Sequence, residues 1–217
     1  MNIRYFAPGT LAVAAVALTM LGSALAAPSR EPTPVKTNLV LNPGAEAAEG
    51  SDDGSVVPIP NWQVVGNFTA VKYGIPGFPP IKESTRIRGG DHFFAGGPED
   101  HQSRAIQVID ISDRAVLIDK QKMKVVVRAE QAGWPGLDTG QVIVAFLDAK
   151  GKQIGEVRGP VVGNTSAVFQ RMERHRFIPK NTRKLRVLLL GVKHTGVYLD
   201  AYFDNIDVRI GRRGAAF

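Results

Sequence analysis

From Asn38 onward, apolar and polar positions come in short runs broken by Gly, Pro, Asn and Asp, the pattern of an all-β domain. The runs predict strands at 38–41, 61–66, 68–74, 92–96, 103–111, 122–131, 140–149, 153–159, 167–178, 184–193 and 201–210. Between the seventh and eighth, "DAKGKQ" reads as a hairpin turn, with Gly151 supplying a positive φ. One stretch breaks the alternation. "SDRAVLIDKQ" (112–121) offers Ser112 as an N-cap and Val116, Leu117 and Ile118 as helix-compatible apolar positions, so it predicts one short helix. No fixed-period repeat and no second domain is visible. Many short strands with one small helix predict two antiparallel sheets packed face to face, a sandwich or jelly roll.

The last run, "YFDNIDVRI" (202–210), contains an anomaly. Alternate side chains of a strand share a face. Strict alternation puts Asp204 in register with Tyr202, Ile206, Val208 and Ile210, which look like a buried stripe. A carboxylate there costs several kcal/mol unless its charge is compensated. A lysine or arginine, backbone N–H groups or a hard cation would each do this. Calcium takes roughly six to eight oxygens, many from backbone carbonyls, which suits a loop-rich β domain. Glu46 and Glu49 in "NPGAEAAEG" and Asp91 after two glycines in "RGGDHFF" are candidate partners.

The other end of the chain changes the compartment. Arg4, the apolar stretch "LAVAAVALTMLGSALA" and the small residues up to Ala27 form a signal-peptide pattern, with cleavage expected after Ala26. The expected organisation is a signal peptide at 1–26, a proline-rich leader at 27–37, the β domain at 38–211 and a tail at 212–217. Secretion, to the periplasm or outside the cell, follows from this reading. The sequence has no cysteine, which removes thiol catalysis, Cys-ligated zinc and a small disulfide-stapled scaffold. Without Arg4 the chain keeps a formal charge of +6, which favours acidic surfaces. The basic residues are scattered, their densest groups being "RMERHR" and "KNTRKLR", and no nucleic-acid motif accompanies them.

Five segments in this order, "NLVLNPGAEAAEG", "NW", "GGDHFFAGG", "AIQVIDIS" and "YFDNIDVRI", resemble the galactose-binding-like jelly-roll superfamily, and most of all its bacterial carbohydrate-binding modules. The resemblance runs from Asn38 to about Ile210. It implies first and last strands that lie together and a structural calcium ion near them. Carried over position by position, it implies Glu46 and Asp204 as side-chain ligands, Gly44 as a carbonyl donor and Asp91 as a further contributor. The chain departs from the family pattern at Ala45, where an aromatic is usual, and at Ala47, where a second acid is usual.

Sugar recognition needs an apolar surface for pyranose C–H faces and polar groups for hydroxyls. Trp134, in the Gly- and Pro-rich stretch "QAGWPGLDTG", is the candidate platform, with Gln131 and Asp138 flanking it. Tyr73 and Phe78 are expected to line a long loop at one end of the sandwich. Trp62 matches the family's core tryptophan. Phe93 and Phe94 are adjacent and point to opposite faces, so the main core takes at most one of them. The four histidines show no metal-binding spacing, and no GxSxG or phosphate-loop motif is present. Glu130 and Asp138 are the candidate carboxylates for a glycosidase, if they face each other across the Trp134 loop. The expected function is that of a secreted, non-catalytic carbohydrate-binding module with a structural calcium ion. The alternatives are an adhesion or protein–protein module on the same fold and, third, a glycoside-active enzyme.

Overall fold

Ten of the eleven apolar runs form strands in the computed structural model, which describes residues 37–215. The expected signal peptide, the leader before Thr37 and the last two residues of the tail lie outside the described residues. The strands are β1 (Gln63–Val65), β2 (Thr69–Lys72), β3 (His92–Pro98), β4 (Gln102–Asp110), β5 (Met123–Gly133), β6 (Thr139–Leu147), β7 (Gln153–Val162), β8 (Gln170–Phe177), β9 (Lys184–Val192) and β10 (Tyr198–Arg212). They make two five-stranded sheets with antiparallel pairing throughout, β1-β4-β9-β6-β7 and β2-β3-β10-β5-β8. This is the expected two-sheet sandwich. β10 runs to Arg212, one residue beyond the expected domain end.

The eleventh run, 38–41, forms no regular strand. It still lies along β10 through side-chain amide bonds: the Asn38 Nδ2 donates to the Ile206 carbonyl at 2.7 Å, and its Oδ1 accepts the Val208 N–H at 2.9 Å. The Leu39 N–H reaches the Val208 carbonyl, and the Ile206 N–H reaches that of Pro43. The first described segment and the last strand therefore lie together, as expected. The β6–β7 hairpin is also as read. Asp148 Oδ1 accepts the N–H groups of Lys150 and Lys152, and Gly151 takes φ +83°.

The helix expected at 112–121 is a 3-10 turn at Ser112–Arg114 followed by α2 (Ala115–Asp119). A second helix was not foreseen. It is labelled α1 (Ile81–Ile87) and follows Pro79 and Pro80. Pro80 is suited to a helix start because it lacks the N–H that would go unpaired there. Glu83 in the first turn and Arg86 in the last form an i,i+3 ion pair at 2.7 Å.

The main core lies between the sheets and includes Trp62, Phe68, Phe94, Phe146, Leu185, Leu189 and Phe203. Burying one such side chain stabilises by about 1.5–3 kcal/mol. Trp62 is in this core as expected, packing edge-on against Phe94 with ring centroids 5.3 Å apart. Phe93 faces the other way, into a second cluster with Val71, Tyr73, Ala95, Ala132, Phe169 and Tyr202. That cluster covers the outer side of β2-β3-β10-β5. α1 is tied over it by Glu83, whose Oε2 accepts the Phe169 N–H at 3.1 Å, and by Arg86, which donates to the Phe169 carbonyl.

The register expected for 202–210 needs correction. Pairing with β5 shifts between Asp204 and Asp207, a β-bulge in which Asn205 takes φ +49°. The extra residue switches the alternation. Phe203 faces the main core before the bulge, and Ile206, Val208 and Ile210 face it after. Tyr202 and Asp204 therefore point outward, toward the second cluster, and do not share a face with Ile206.

Candidate functional site

Asp204 is fully buried on that outer side. The Tyr73 hydroxyl donates to its Oδ2 at 2.6 Å, and the Asn205 N–H donates to its Oδ1 at 2.6 Å. Among the described residues it pairs with no lysine or arginine. Burial, the largest influence, holds its carboxyl well above the usual range. The two hydrogen bonds oppose this, and the charges of Glu46 and Glu130 add to it. Burial also raises the Tyr73 phenol, and the Asp204 charge raises it further, so the phenol stays protonated and donates.

Glu46 approaches the same place from the N-terminal segment. Its Oε1 accepts the N–H groups of Asp91 and His92 at 3.1 and 2.9 Å. Its Oε2 faces His92 Nδ1 at 3.3 Å, an ion-pair distance without hydrogen-bond alignment. The Gly50 N–H donates to His92 Nε2, which places the ring proton of neutral His92 on Nδ1.

Three glycines let the two carboxylates come together. A Cβ on Gly44 would lie 3.0 Å from Asp204 Oδ1, 3.6 Å from the Gly89 carbonyl oxygen and 3.7 Å from Glu46 Cγ. A Cβ on Gly89 would collide with Asp204 Oδ2, and one on Gly90 would lie 2.6 Å from Glu46 Oε1. Asp204 and Glu46 thus lean on consecutive residues of one turn. Two of the three atoms nearest the Gly44 Cβ position, Asp204 Oδ1 and the Gly89 carbonyl oxygen, are hard oxygens of the type a calcium ion takes. Among the described residues no group of three His, Cys, Asp or Glu side chains converges. A cation held here would draw its remaining donors from carbonyls, the Tyr73 hydroxyl or water. Asp91 reaches the cage through its backbone N–H, and the expectation that its carboxylate contributes finds no contact here.

Beside the cage, over the bulge, lies an open cleft of about 270 Å3. Its lining includes Pro43, Ile87, Arg88, Arg128, Glu130, Arg171, Asp207 and Arg209. The register explains these neighbours. Asp204, Glu130 and Arg171 form one cross-strand row on β10, β5 and β8, and Asp207, Arg128 and Glu173 form another. Asp207 is held at both oxygens, by Arg209 Nε at 2.8 Å and Arg128 Nη1 at 3.2 Å. Arg128 also pairs with Glu173 at 2.8 Å. Glu130 is buried and makes no hydrogen bond among the described residues. Burial raises its carboxyl, against the lowering influence of Arg171 and Arg86.

The loop platform is dispersed by the structure. Trp134 itself is exposed, at 36%. Gln131 is fully buried and points between the sheets, its Nε2 donating to the Gly140 carbonyl at 3.3 Å. Asp138 is buried and accepts the N–H groups of His194, Thr195 and Asp200, so it fastens the β9–β10 connection. Tyr73 is packed against Phe93 and Phe169. Gln131, Asp138 and Tyr73 are therefore corrected from ligand-facing to structural positions, and Glu130 and Asp138 do not form a carboxylate pair. The cleft residues Arg88, Arg128 and Arg171 were not singled out. The alternation of Arg128 and Glu130 on β5 and of Arg171 and Glu173 on β8 reads as an ordinary solvated strand face until the bulge position is known.

No family model matches the chain, and no curated protein matches it. Solved structures of similar fold include TmCBM61, described in complex with β-1,4-galactotriose: 16% identity, TM-score 0.48, 82% of this chain and 99% of that one. The CBM22-1 xylan-binding domain of Paenibacillus barcinonensis Xyn10C matches at 12% identity and TM-score 0.40, over 77% of this chain and 94% of that one. The enzymatically active domain of bacteriophage CBA120 tailspike protein 4 matches at 14% identity and TM-score 0.48. That match covers 81% of this chain but only 21% of the tailspike chain. Likenesses of this degree say nothing of a ligand.

Proposed function

We propose that this chain is an exported, non-catalytic carbohydrate-binding module with a structural calcium ion held by Glu46 and Asp204. The observation that carries the binding reading is the cleft over the β10 bulge. It combines apolar Pro43 and Ile87 and the aliphatic stems of arginines with hydrogen-bonding groups that are not all satisfied internally. Glu130 is its hydroxyl acceptor. The non-catalytic reading is supported by Asp207, both of whose oxygens are engaged by arginines, which leaves Glu130 the one carboxylate of the cleft lining without an ion pair among the described residues. The resemblance of the five sequence segments supports the same class. No helix among the described residues is long and apolar enough to cross a membrane.

A glycan array of the protein cleaved after Ala26, with and without EDTA, tests the reading. Glu130→Gln is expected to weaken binding to the retained glycan about tenfold, near the net value of one charge-assisted hydrogen bond. The same change is expected to raise the melting temperature at neutral pH, because a buried ionised carboxylate is removed. Trp134→Ala is expected to leave glycan binding unchanged. If Trp134→Ala abolishes binding and Glu130→Gln does not, the site is the β5–β6 loop and not the cleft.

One feature favours an adhesion module instead. The outer face of β4, β9 and β6 carries half-buried Ile106, Leu188 and Leu190 beside the exposed Val108. Binding to a protein partner, lost on Leu188→Lys and indifferent to Glu130→Gln, would establish that reading.

A further inference from the structure

We propose that the cleft selects acidic saccharides, with Arg88 and Arg171 taking the carboxylate of a uronic acid unit. This rests on the carbohydrate-binding reading of the same cleft. Four arginines and two carboxylates line it. Asp207 is consumed by Arg128 and Arg209, and Arg128 is consumed further by Glu173. The uncommitted cations are Arg88 and Arg171. Both are exposed, and neither guanidinium makes a hydrogen bond or ion pair among the described residues. Arg171 feels the Glu130 charge from the adjacent strand, but the two form no ion pair. The guanidiniums reach the cleft from different elements, one from the end of α1 and one from β8. A planar carboxylate meets such groups through paired, charge-assisted hydrogen bonds.

The backbone at Arg88 adds a second observation. Arg88 is the C-cap of α1 and takes φ +60°, ψ +46°, a left-handed conformation normally given to Gly or Asn. Two glycines follow it immediately, yet the strained position carries an arginine. Ala45, Glu99 and Gln121 take the same left-handed backbone, so the conformation matters here for where it starts the Arg88 side chain and is not itself a sign of function. Asn205, also left-handed, donates from Nδ2 to the Ile87 carbonyl at 2.9 Å and fixes the turn that presents Arg88.

Glu130 sets the orientation. It lies buried in the lining and would repel an anion placed over it. A uronic acid unit can enter only with hydroxyls toward Glu130 and its carboxylate toward the exposed guanidiniums. Neutral sugars gain only the first interaction. At about 270 Å3 the cleft has room for a short saccharide unit.

Calorimetric titration of the protein cleaved after Ala26 tests this, using oligogalacturonate, a neutral galactan oligosaccharide of equal length and a sulfated one. Oligogalacturonate is expected to bind at least about tenfold tighter than the neutral ligand, with the difference shrinking as salt rises. Arg171→Gln is expected to remove that advantage, read as the ratio of oligogalacturonate to neutral affinity within the same variant. Arg88→Gly is expected to do the same while the melting temperature stays equal or rises, since glycine relieves the left-handed strain. Equal affinity of the wild type for acidic and neutral ligands overturns the proposal, as does unchanged oligogalacturonate affinity in Arg171→Gln. Preference for the sulfated ligand with the same arginine dependence replaces the uronate by a sulfate ester. Binding of the neutral ligand alone overturns only this inference, whereas binding of none overturns the carbohydrate reading beneath it.

Discussion

Asp204→Asn is expected to raise the melting temperature of the calcium-free protein at neutral pH, and to abolish the further rise that calcium gives the wild type. Asp204 is fully buried, and no cation among the described residues offsets its charge. Keeping it ionised without a metal costs several kcal/mol. In a domain of this size each kcal/mol moves the melting temperature by about 2–4 °C, so the variant should gain roughly 5 °C or more. Asparagine keeps an acceptor for the Tyr73 hydroxyl and loses the charge. In the wild type, calcium would supply the missing compensation, and binding to the folded state alone raises stability. The pH dependence follows from the direction of the shift. A carboxyl raised in the folded state favours folding most below its unfolded value, and that contribution is lost as pH rises through the folded value. Calcium-free wild type should therefore gain stability on mild acidification, and the variant should lack that gain. Glu173 acts oppositely: held down to about 2, first by Arg128, it loses its contribution as pH falls from the ordinary glutamate range toward 2. Scanning calorimetry from about pH 2 to pH 8, with calcium and with EDTA, separates the two. A lower melting temperature for Asp204→Asn, with no calcium response in the wild type, would make Asp204 a plain partner of Tyr73.

The sandwich was legible in the sequence because its apolar positions come in short runs and each break carries Gly, Pro, Asn or Asp. Ten strands follow from that alone. The outward turn of Asp204 was not legible. One bulge residue, Asn205, reverses every side chain beyond it, and Asn in a strand is only a weak sign of a bulge. The helix at 81–87 was missed because seven residues are too few to show a period, although Pro80, Glu83 and Arg86 carried its end signals. Burial of Gln131 and Asp138 was misread for a different reason. Loop composition identifies exposed backbone, but a loop must also be fastened, and Asp138 does so with three backbone hydrogen bonds. The pairing of Glu46 with Asp204 as one neighbourhood came from the resemblance, since nothing in spacing links residues so far apart in the chain.

Gly89→Ala should destabilise the fold and weaken the calcium response together, and a matched substitution makes the result specific. Gly89 has no left-handed backbone to protect, so alanine meets no conformational objection there. The objection is space. The new Cβ would overlap Asp204 Oδ2, lie 2.9 Å from the Tyr73 hydroxyl and 3.3 Å from Ile87 Cδ1. None of these can withdraw easily, because Asp204 is held by Tyr73 and Asn205 and Ile87 ends α1. Overpacking of this kind costs about 1–3 kcal/mol, a fall of roughly 3–10 °C. Gly77 is the reverse case. It takes φ +84° with nothing within 4 Å of an added Cβ, so Gly77→Ala costs only backbone strain, about 1 kcal/mol, and its methyl touches neither carboxylate. Both variants should melt earlier than the wild type in EDTA. Calcium should restore the same increment to Gly77→Ala as to the wild type, and much less to Gly89→Ala, whose Asp204 oxygen has been displaced from the cage. An undiminished calcium increment in Gly89→Ala would place the ion elsewhere and leave the Gly44–Gly89–Asp204 convergence as packing.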